Sequence, residues 1–447
     1  MFDSQDDAAL LDDLLKQAKT AGADQADAVL IRSASISHAQ RLGQVERLER
    51  EEGQDLGLRV LCGKRQAIVS STDLKAETLA ELVERALAMA GSVPEDPYCG
   101  LAAPEQIARE IPDLDIFDPS EPTAEQLIDA ATRCEEAARA VPGVTNSEGA
   151  EAAWGVSHVS LAASNGFAGA YAVSHRSLAC SVLAGEGTAM ERDYDFTTAV
   201  FAEGLRNAEE VGRGAGERAV RRLGAKRPGT GKYPVIFDPR VGRSLLGHLS
   251  GAINGAAIAR GTSFLQDKLG ERIFPEGVTV TDDPRRKRGL ASKPFDGEGL
   301  ANAAIDFIAD GRLTAWVLDL SSARQLGLEP NGRAGRGVSG PPGPGTTNLY
   351  LAPGKVSRAE LLAGVEQGFY VTEMMGMGVN GVTGDYSRGA AGFWIENGEL
   401  ADPVSEVTLA GNLKQMFLNL TPADDLEFVY GTNVPTLRVD GMTLAGS

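Results

Sequence analysis

Cysteine, histidine and long apolar runs are scarce in this chain, and each shortage excludes a class of protein. Among 447 residues there are four cysteines, none in a CxxC spacing: Cys62, Cys99, Cys134 and Cys180. We therefore expect neither a zinc knuckle nor a disulfide framework, and interpret the thiols as buried groups in a reducing compartment. No stretch approaches the ~20 apolar residues of a membrane helix, and the acidic N-terminus is unlike a signal peptide. The prediction is a cytoplasmic protein that spans no membrane.

Positive charge is also in short supply, since the formal net charge is −19. This balance disfavours nucleic acid as a partner, because phosphates would be repelled over most of the surface. It equally disfavours an anionic membrane surface. The one basic cluster, Arg285–Arg288, is interpreted as a solvated loop, with a nucleic-acid or partner contact as the alternative.

The usual catalytic signatures are missing. A zincin needs two histidines one turn apart on a helix, with a glutamate to activate water, but no two of the four histidines are so spaced: His38, His158, His175 and His248. His158 and His175 could meet across a hairpin turn at Asn165-Gly166, yet counting from the turn places them near the far ends of its strands. The sequence also contains no G-x-S-x-G elbow and no phosphate-binding G-x-x-x-x-G-K-[ST] loop.

Hydrophobic periodicity divides the chain near Lys226–Gly231. Before this segment, helices and strands come in blocks, typical of an α+β arrangement. We predict helices around 10–18 and 79–87, a capping box at Thr123/Gln126 opening a third, and a mostly helical 195–224. Strands are predicted at 26–32, 39–51, 57–60, 66–70, 157–163, 168–174 and 178–184.

After this segment the pattern predicts a strand at 235–237 and a helix of small residues over 243–259. Gly327–Thr347 is dominated by Gly, Pro and Arg, which predicts a long, mobile loop. A capping box at Ser357/Glu360 opens another helix, and Asn397-Gly398 predicts a hairpin turn. Further strands are predicted at 369–374, 390–395, 404–409, 436–439 and 442–444, with a helix near 412–420.

The most informative segment is Met374–Glu399, in which glycines recur on predicted strands. Glycine weakens a strand unless a backbone or ligand must approach closely, so the pattern indicates a tight strand crossing or a bound peptide. Bulges and turns are the alternative. A polar island lies within the segment and could present donors and acceptors to a ligand: Asp385, Tyr386, Ser387 and Arg388.

Residues 378–399 (GVNGVTGDYSRGAAGFWIENGE), continued by 403–412 (PVSEVTLAGN), closely resemble the signature of the TldD/PmbA metallopeptidase family, in its PmbA (TldE) branch. The likeness extends over nearly the whole chain. It implies an α+β protein with an N-terminal α/β domain, residues 1–225, and a C-terminal domain built on antiparallel β-sheet, residues 226–447.

The resemblance also implies where a metal would be bound. In the TldD branch a helix carries His-Glu-x-x-x-His, and a cysteine near the C-terminus is a further ligand. The matching positions here are Leu246, Gly247 and Gly251, with His248 out of register, and every cysteine precedes residue 181. We therefore expect no catalytic residue and no metal or cofactor in this chain, with zinc held by a TldD-type partner.

The resulting expectation is a subunit of a cytosolic TldD/TldE-type complex acting on small or unfolded peptides, paired as a heterodimer and able to form a homodimer alone. Asp385, Tyr386, Ser387 and Arg388 are predicted to bind peptide, at an exposed sheet edge near Gly376–Gly392. Two alternatives remain open: a non-enzymatic homodimeric scaffold or peptide-binding protein, and a self-sufficient hydrolase using His158, His175 or carboxylates.

Overall fold

A computed structural model describes residues 4–446, so residues 1–3 and 447 of the two predicted domains lie outside it. Helices and antiparallel sheets occur in both halves of the chain, which confirms the predicted α+β class. Among the helices that the structure describes, none has both the length and the apolarity needed to cross a bilayer.

The N-terminal half consists of a long-stranded sheet with four α-helices. Its elements in chain order are α1 (Ser4–Thr20), β1 (Gln25–Arg41), β2 (Gln44–Cys62), β3 (Arg65–Ser71), α2 (Ala76–Ser92), α3 (Ala124–Arg139), β4 (Val144–Ala163), β5 (Ala168–Ala184), β6 (Glu191–Ala199) and α4 (Ala208–Arg221). The strands are ordered β3-β2-β1-β4-β5-β6, and every neighbouring pair is antiparallel.

The two faces of this sheet have different partners. Alternate residues of β1, such as Leu30 and Ile36, are buried against α1 and α2 at one end and α3 and α4 at the other. The opposite face, including Val29, packs against Phe295 and Val338 from the C-terminal half. Because strand side chains alternate between faces, β1 packs against the helices with one face and against the C-terminal half with the other.

Three sequence predictions in this half were wrong about where strands begin and end. The predicted strand 39–51 crosses a turn at Leu42-Gly43, where both residues have positive φ, 52° and 74°. The predicted strand at 178–184 is the end of β5, and residues 195–199, the start of the predicted helical segment 195–224, belong to β6. The capping box at Thr123/Gln126 and the turn at Asn165-Gly166 are confirmed.

The C-terminal half contains many shorter elements. They are β7 (Gly231–Phe237), α5 (Pro239–Ala252), α6 (Gly255–Ala259), β8 (Val280–Asp282), β9 (Ile305–Ala309), β10 (Arg312–Leu313), α7 (Leu320–Leu326), β11 (Ala334–Gly335), β12 (Gly343–Pro344), β13 (Leu349–Leu351), α8 (Arg358–Ala363), β14 (Gln367–Met375), β15 (Asp385–Glu396), β16 (Glu399–Asn412), α9 (Leu413–Leu418), β17 (Leu420–Pro422), β18 (Thr432–Asn433) and β19 (Leu437–Ala445).

Five of these strands form a closed sheet. The order β16-β15-β14-β7-β19 is joined into a ring by the pairing of β16 with β19, and only β7 and β14 run parallel. A second sheet has the order β10-β9-β8-β13-β18. The main apolar core lies between these sheets and α5.

Two predictions in this half need correction. The helix expected over 243–259 is interrupted at Ile253-Asn254, where the Asn254 side chain accepts hydrogen bonds from Ala256 and Ala257 and starts α6. The loop Gly327–Thr347, expected to be mobile, is held by two buried arginines. Arg333 pairs with Asp282 at 2.5 Å and Arg336 with Asp27 at 2.5 Å, so this loop connects the two halves.

Candidate functional site

The helix at which the family resemblance implies a metal motif is α5. Asp238 caps it by accepting a hydrogen bond from the Arg240 amide, and Pro239 occupies the first turn, as is usual for helix starts. Leu245, Leu246 and Leu249 are buried in the core.

The opposite side of α5 carries Gly247 and Gly251. They lie one turn apart on an exposed face, and a Cβ added at either would meet no atom within 4 Å. The helix therefore presents bare backbone and open space there.

A strand and a loop contact α5 beside this glycine face. On one side His248 contacts Tyr386 of β15 edge-to-face, with ring centroids 6.0 Å apart. On the other side Ser250 Oγ lies 3.2 Å from Thr346 Oγ1, at the end of the loop that joins the two halves. We use the name α5 groove for this open surface of the helix and its borders, defined by Gly247, His248, Gly251, Tyr386 and Thr346.

The structure separates the four predicted site residues into two pairs. Tyr386 and Arg388 alternate with Asp385 and Ser387 along β15, so the two pairs point to opposite faces of the strand. Tyr386 is 2% exposed and faces α5. Asp385 and Ser387 are exposed, and Asp385 accepts hydrogen bonds from Thr383 and Asn412. The polar island is therefore not one contiguous surface.

Two buried polar atoms beside the groove have no hydrogen-bond partner among the described residues: His248 Nε2 and the Tyr386 hydroxyl. Burial lowers the pKa of His248, and the positive charge of Arg388 lowers it further. Burial raises the pKa of Tyr386 to about 12, although Arg388 acts in the opposite sense. The neutral imidazole of His248 therefore lies next to the neutral phenol of Tyr386, and the guanidinium of Arg388 is close to both.

The expectation of an exposed sheet edge near Gly376–Gly392 was wrong. Asp385–Glu396 pairs with β16 along one side, and with β14 along the other from Gly389 onward. Before Gly389 the free side is covered by the chain itself, because Ser387 N donates to Gly378 O at 2.7 Å. A Cβ at Gly378 or Gly392 would collide with the carbonyl oxygen of Ser387 or Tyr370, respectively. Gly378 and Gly392 therefore allow the chain's own backbone segments to pack closely against each other.

The residues present do not fit a catalytic zinc ion, which needs about three protein ligands and an open position. Leu246 is buried in the core and Gly247 and Gly251 have no side chain to offer. Throughout residues 4–446, no three His, Cys, Asp or Glu side chains are grouped so that they could hold a metal ion.

The two histidines of the β4–β5 hairpin, His158 and His175, do not face each other across the strands. His158 lies opposite Ala172 and His175 opposite Gly155. His158 packs on Phe117, whereas His175 Nε2 is 2.8 Å from the Thr198 hydroxyl.

Sequence reasoning placed His248 out of register with the metal motif and missed its contact with Tyr386. The two residues are far apart in the chain, and only the packing of α5 on the closed sheet brings them together. Arg388 was predicted as a site residue, but its Nε donation to Gly376 O at 2.9 Å, which fixes the start of the glycine loop 376–384, had no sequence signal.

Comparison with known proteins gives three successive matches along the chain. Residues 26–90, 117–223 and 230–446 match the first, central and C-terminal domains of the PmbA/TldA metallopeptidases. The chain is 39% identical over 427 residues to the metalloprotease PmbA of Escherichia coli O157:H7, covering 95% of this chain and 92% of that protein.

Solved structures share the whole fold. A candidate modulator of DNA gyrase from Bacteroides thetaiotaomicron superposes with a TM-score of 0.92 at 27% identity, covering 100% of both chains. TldE from Thermococcus kodakarensis superposes with a TM-score of 0.86 at 21% identity, covering 98% of this chain and 100% of that one; this likeness shows the fold alone.

Proposed function

Because the chain belongs to the PmbA/TldD metallopeptidase family, whose role is in proteolysis, we propose that it acts as the metal-free subunit of a cytoplasmic peptidase complex. Its partner would be a TldD-type subunit that carries His-Glu-x-x-x-His and binds zinc. The substrate class is small or unfolded peptides.

The observation that carries this proposal is the composition of the α5 groove. At the three positions matching the metal motif, one side chain is buried in the core and two are absent. A water-activating zinc ion would find no ligand there. The same glycines leave the groove open, so the fold supplies a surface for chain binding without the metal chemistry.

We propose that the complex uses the groove to line the path of the peptide. Arg388 is half-exposed on the face of β15 that meets α5, and Ser387 is exposed on the opposite face. Each could donate hydrogen bonds to peptide carbonyls or a carboxylate on its own side of the strand. Asp385 would contact the peptide from the outer face of β15. Tyr386, which is buried, would position His248 and Arg388 rather than touch the peptide.

The test measures peptide cleavage by this chain alone, by the TldD-type subunit alone, and by the two together, with zinc content determined for each. We expect zinc to be bound by the TldD-type subunit and not by this chain. We expect peptide cleavage only in samples that contain the TldD-type subunit, with the highest activity in the mixture. Chelator-sensitive cleavage by this chain alone, with zinc bound in stoichiometric amount, would refute the proposal.

Filling the groove tests its role in the complex. Gly251→Leu adds a side chain where there is open space, so folding should be retained while peptide access is blocked. We expect peptide cleavage by the complex to fall about tenfold. Gly91→Leu is the matched control, since Gly91 is also an exposed helix glycine one residue before a helix end, with no atom within 4 Å of its added Cβ. Equal activity of both variants would argue against a peptide path through the groove.

A further inference from the structure

A cavity lies at the contact between the two halves of the chain. Its volume is about 240 Å³, and its charged lining comprises Arg59 and Asp96 from the N-terminal half and Arg260, Glu298 and Asp319 from the C-terminal half. Pockets for drug-sized ligands measure about 300–1,000 Å³. The cavity is therefore suited to a smaller, polar molecule.

Two carboxylates of the lining are buried, yet each has an oxygen without a hydrogen bond. Glu298 is 7% exposed and Asp319 is 3% exposed. Within residues 4–446, only Oε2 of Glu298 accepts a hydrogen bond, from Leu320 N at 2.8 Å. Over the same residues only Oδ1 of Asp319 does so, from the amide and hydroxyl of Ser322. Because buried carboxylate oxygens without donors are costly, a ligand that donates to both would be stabilised here.

The charges around Glu298 favour a cationic donor. Burial raises the pKa of Glu298, and the neighbouring carboxylates of Asp296 and Asp319 raise it further. Arg59 lowers it, but the Arg59 guanidinium already donates to Asp27 through Nε and Nη2. An ammonium group in the cavity would offset the repulsion between the carboxylates and favour the ionised form of Glu298. It would also form charge-assisted hydrogen bonds with the two unbonded oxygens.

A metal ion suits this cavity less well than an organic ammonium. Metal ligands must converge to within about 2–2.6 Å of the ion. In the part of the chain that the structure describes, no three His, Cys, Asp or Glu side chains are grouped in this way. An ammonium group donates in three directions, so its acceptors can be spread around it at hydrogen-bond distance.

The mouth of the cavity carries the opposite charge. Arg260 directly follows α6 and is exposed, whereas Glu298 and Asp319 are buried. Among the described residues Arg260 has no ion-pair partner, so its guanidinium is available to bind a carboxylate through two parallel hydrogen bonds. Carboxylates at the bottom and an arginine at the mouth match a small molecule with an ammonium group at one end and a carboxylate at the other.

We propose that this cavity binds a free α-amino acid, with its ammonium group at Glu298 and Asp319 and its carboxylate at Arg260. The segment 341–344 (Pro-Pro-Gly-Pro), which also lines the cavity, would contact the side chain of the amino acid. Because both halves of the chain line the cavity, the bound amino acid would stabilise the contact between them. This inference does not depend on the proposed peptidase role.

Isothermal titration calorimetry of the unaltered chain tests the proposal, with the common L-α-amino acids as separate probes. We expect at least one of them to bind saturably, at one site per chain. The amide of that amino acid lacks the carboxylate, and its N-acetyl derivative lacks the ammonium group. Each derivative should bind about tenfold or more weakly than the amino acid itself.

Two substitutions test whether the amino acid binds in this cavity. Glu298→Gln removes a negative charge but keeps an acceptor for Leu320 N, and Arg260→Gln changes an exposed side chain. Each should weaken binding of the amino acid about tenfold or more. Arg260→Gln should leave the affinity for the amide unchanged, because the amide has no carboxylate for Arg260 to bind.

Arg213→Gln is the matched control for the substitution at the mouth. Arg213 is also exposed and has no ion-pair partner among the described residues, but it lies on α4 outside the cavity. This variant should bind the amino acid like the unaltered chain, and circular dichroism should show all variants folded. If Glu298→Gln does not fold, Arg260→Gln, at an exposed position, still decides the result.

Three results would each overturn the proposal. The first is that no amino acid binds to the unaltered chain. The second is that the amide or the N-acetyl derivative binds as tightly as the amino acid, and the third is normal binding by either folded variant. None of these results concerns peptide cleavage by the complex, so the peptidase proposal would stand or fall separately.

Discussion

Two buried tyrosines beside α5 carry hydroxyl groups in opposite situations. Tyr370 is 1% exposed and donates to Asp238 Oδ2 at 2.9 Å, the carboxylate that caps α5. Tyr386 is 2% exposed, but its hydroxyl finds no partner among the described residues. Leaving a buried polar group without a hydrogen bond costs about 1–3 kcal/mol.

The pair therefore predicts opposite results for one substitution. Tyr370→Phe should lower the free energy of unfolding by about 1–2 kcal/mol, because it removes a hydrogen bond to a charged acceptor. Tyr386→Phe should change it by less than about 0.5 kcal/mol or increase it, because its hydroxyl makes no hydrogen bond of good geometry, although Arg388 lies near enough to lower its pKa. Urea denaturation of both variants checks the prediction, and an equal loss in both would contradict it.

Among the secondary-structure elements, the loop containing Arg333 and Arg336 shows how composition can mislead. Its Gly, Pro and Arg content indicates mobility, yet Arg336 is only 3% exposed at its side chain. Burial would raise the pKa of Asp27, but Arg336 and Arg59 outweigh it and lower the pKa, so the carboxylate stays ionised. Such a pair is invisible in sequence because its members are far apart in the chain.

Arg336→Met should therefore both destabilise the protein and release the loop. Removing one partner of a buried ion pair costs about 3 kcal/mol, and we expect faster hydrogen exchange at the amides of residues 337–345. Arg133→Met, which breaks exposed ion pairs, should cost less than about 1 kcal/mol and leave the loop protected. Unchanged exchange in Arg336→Met would show that the backbone contacts alone hold the loop.

The strand errors have a similar physical origin. Residues 195–199 were included in the predicted helical segment 195–224, and β6 gave no apolar alternation to correct this: the buried positions of β6 are Asp193, Asp195 and Thr197. Arginines from outside the strand pair with the two carboxylates, which makes a polar residue acceptable on the inner face. The turn at Leu42 was missed because positive φ is unusual for leucine. Helices with caps or amphipathic faces, and turns with Asn-Gly, were predicted well.

At the scale of the whole molecule, the sequence indicated the family and the positions of the α5 glycines, but not the contact between the two halves. That contact buries Glu298 beside Asp296 and near Arg59. Glu298 Oε2 accepts a hydrogen bond from Leu320 N at 2.8 Å. Burial raises the pKa of Glu298, and the neighbouring Asp296 carboxylate raises it further.

This pKa shift predicts that Glu298 makes the protein less stable as pH rises. Above the ordinary glutamate range the unfolded chain has already lost this proton while the folded protein still binds it, so folding becomes less favourable with increasing pH. The contribution is fully favourable below the unfolded pKa and is lost as pH rises toward the raised folded value. Glu298→Gln keeps an acceptor for Leu320 N and should remove this dependence.

The measurement is the difference in unfolding free energy between Glu298→Gln and the unaltered chain from pH 5 to 9, because the difference cancels histidines and other groups that titrate in both. We expect the variant to gain relative stability steadily as pH rises. Glu135→Gln should give a flat difference over this range and should lose its deficit only as the pH falls below the ordinary glutamate range. Burial would raise the Glu135 pKa, but hydrogen bonds from Ser147, Gly43, Gln40 and Leu42 lower it overall, so its stabilisation is present above the ordinary range and is lost as pH falls. If the two variants instead had parallel pH profiles, the buried carboxyl at the contact between the halves would be ionised like any surface glutamate.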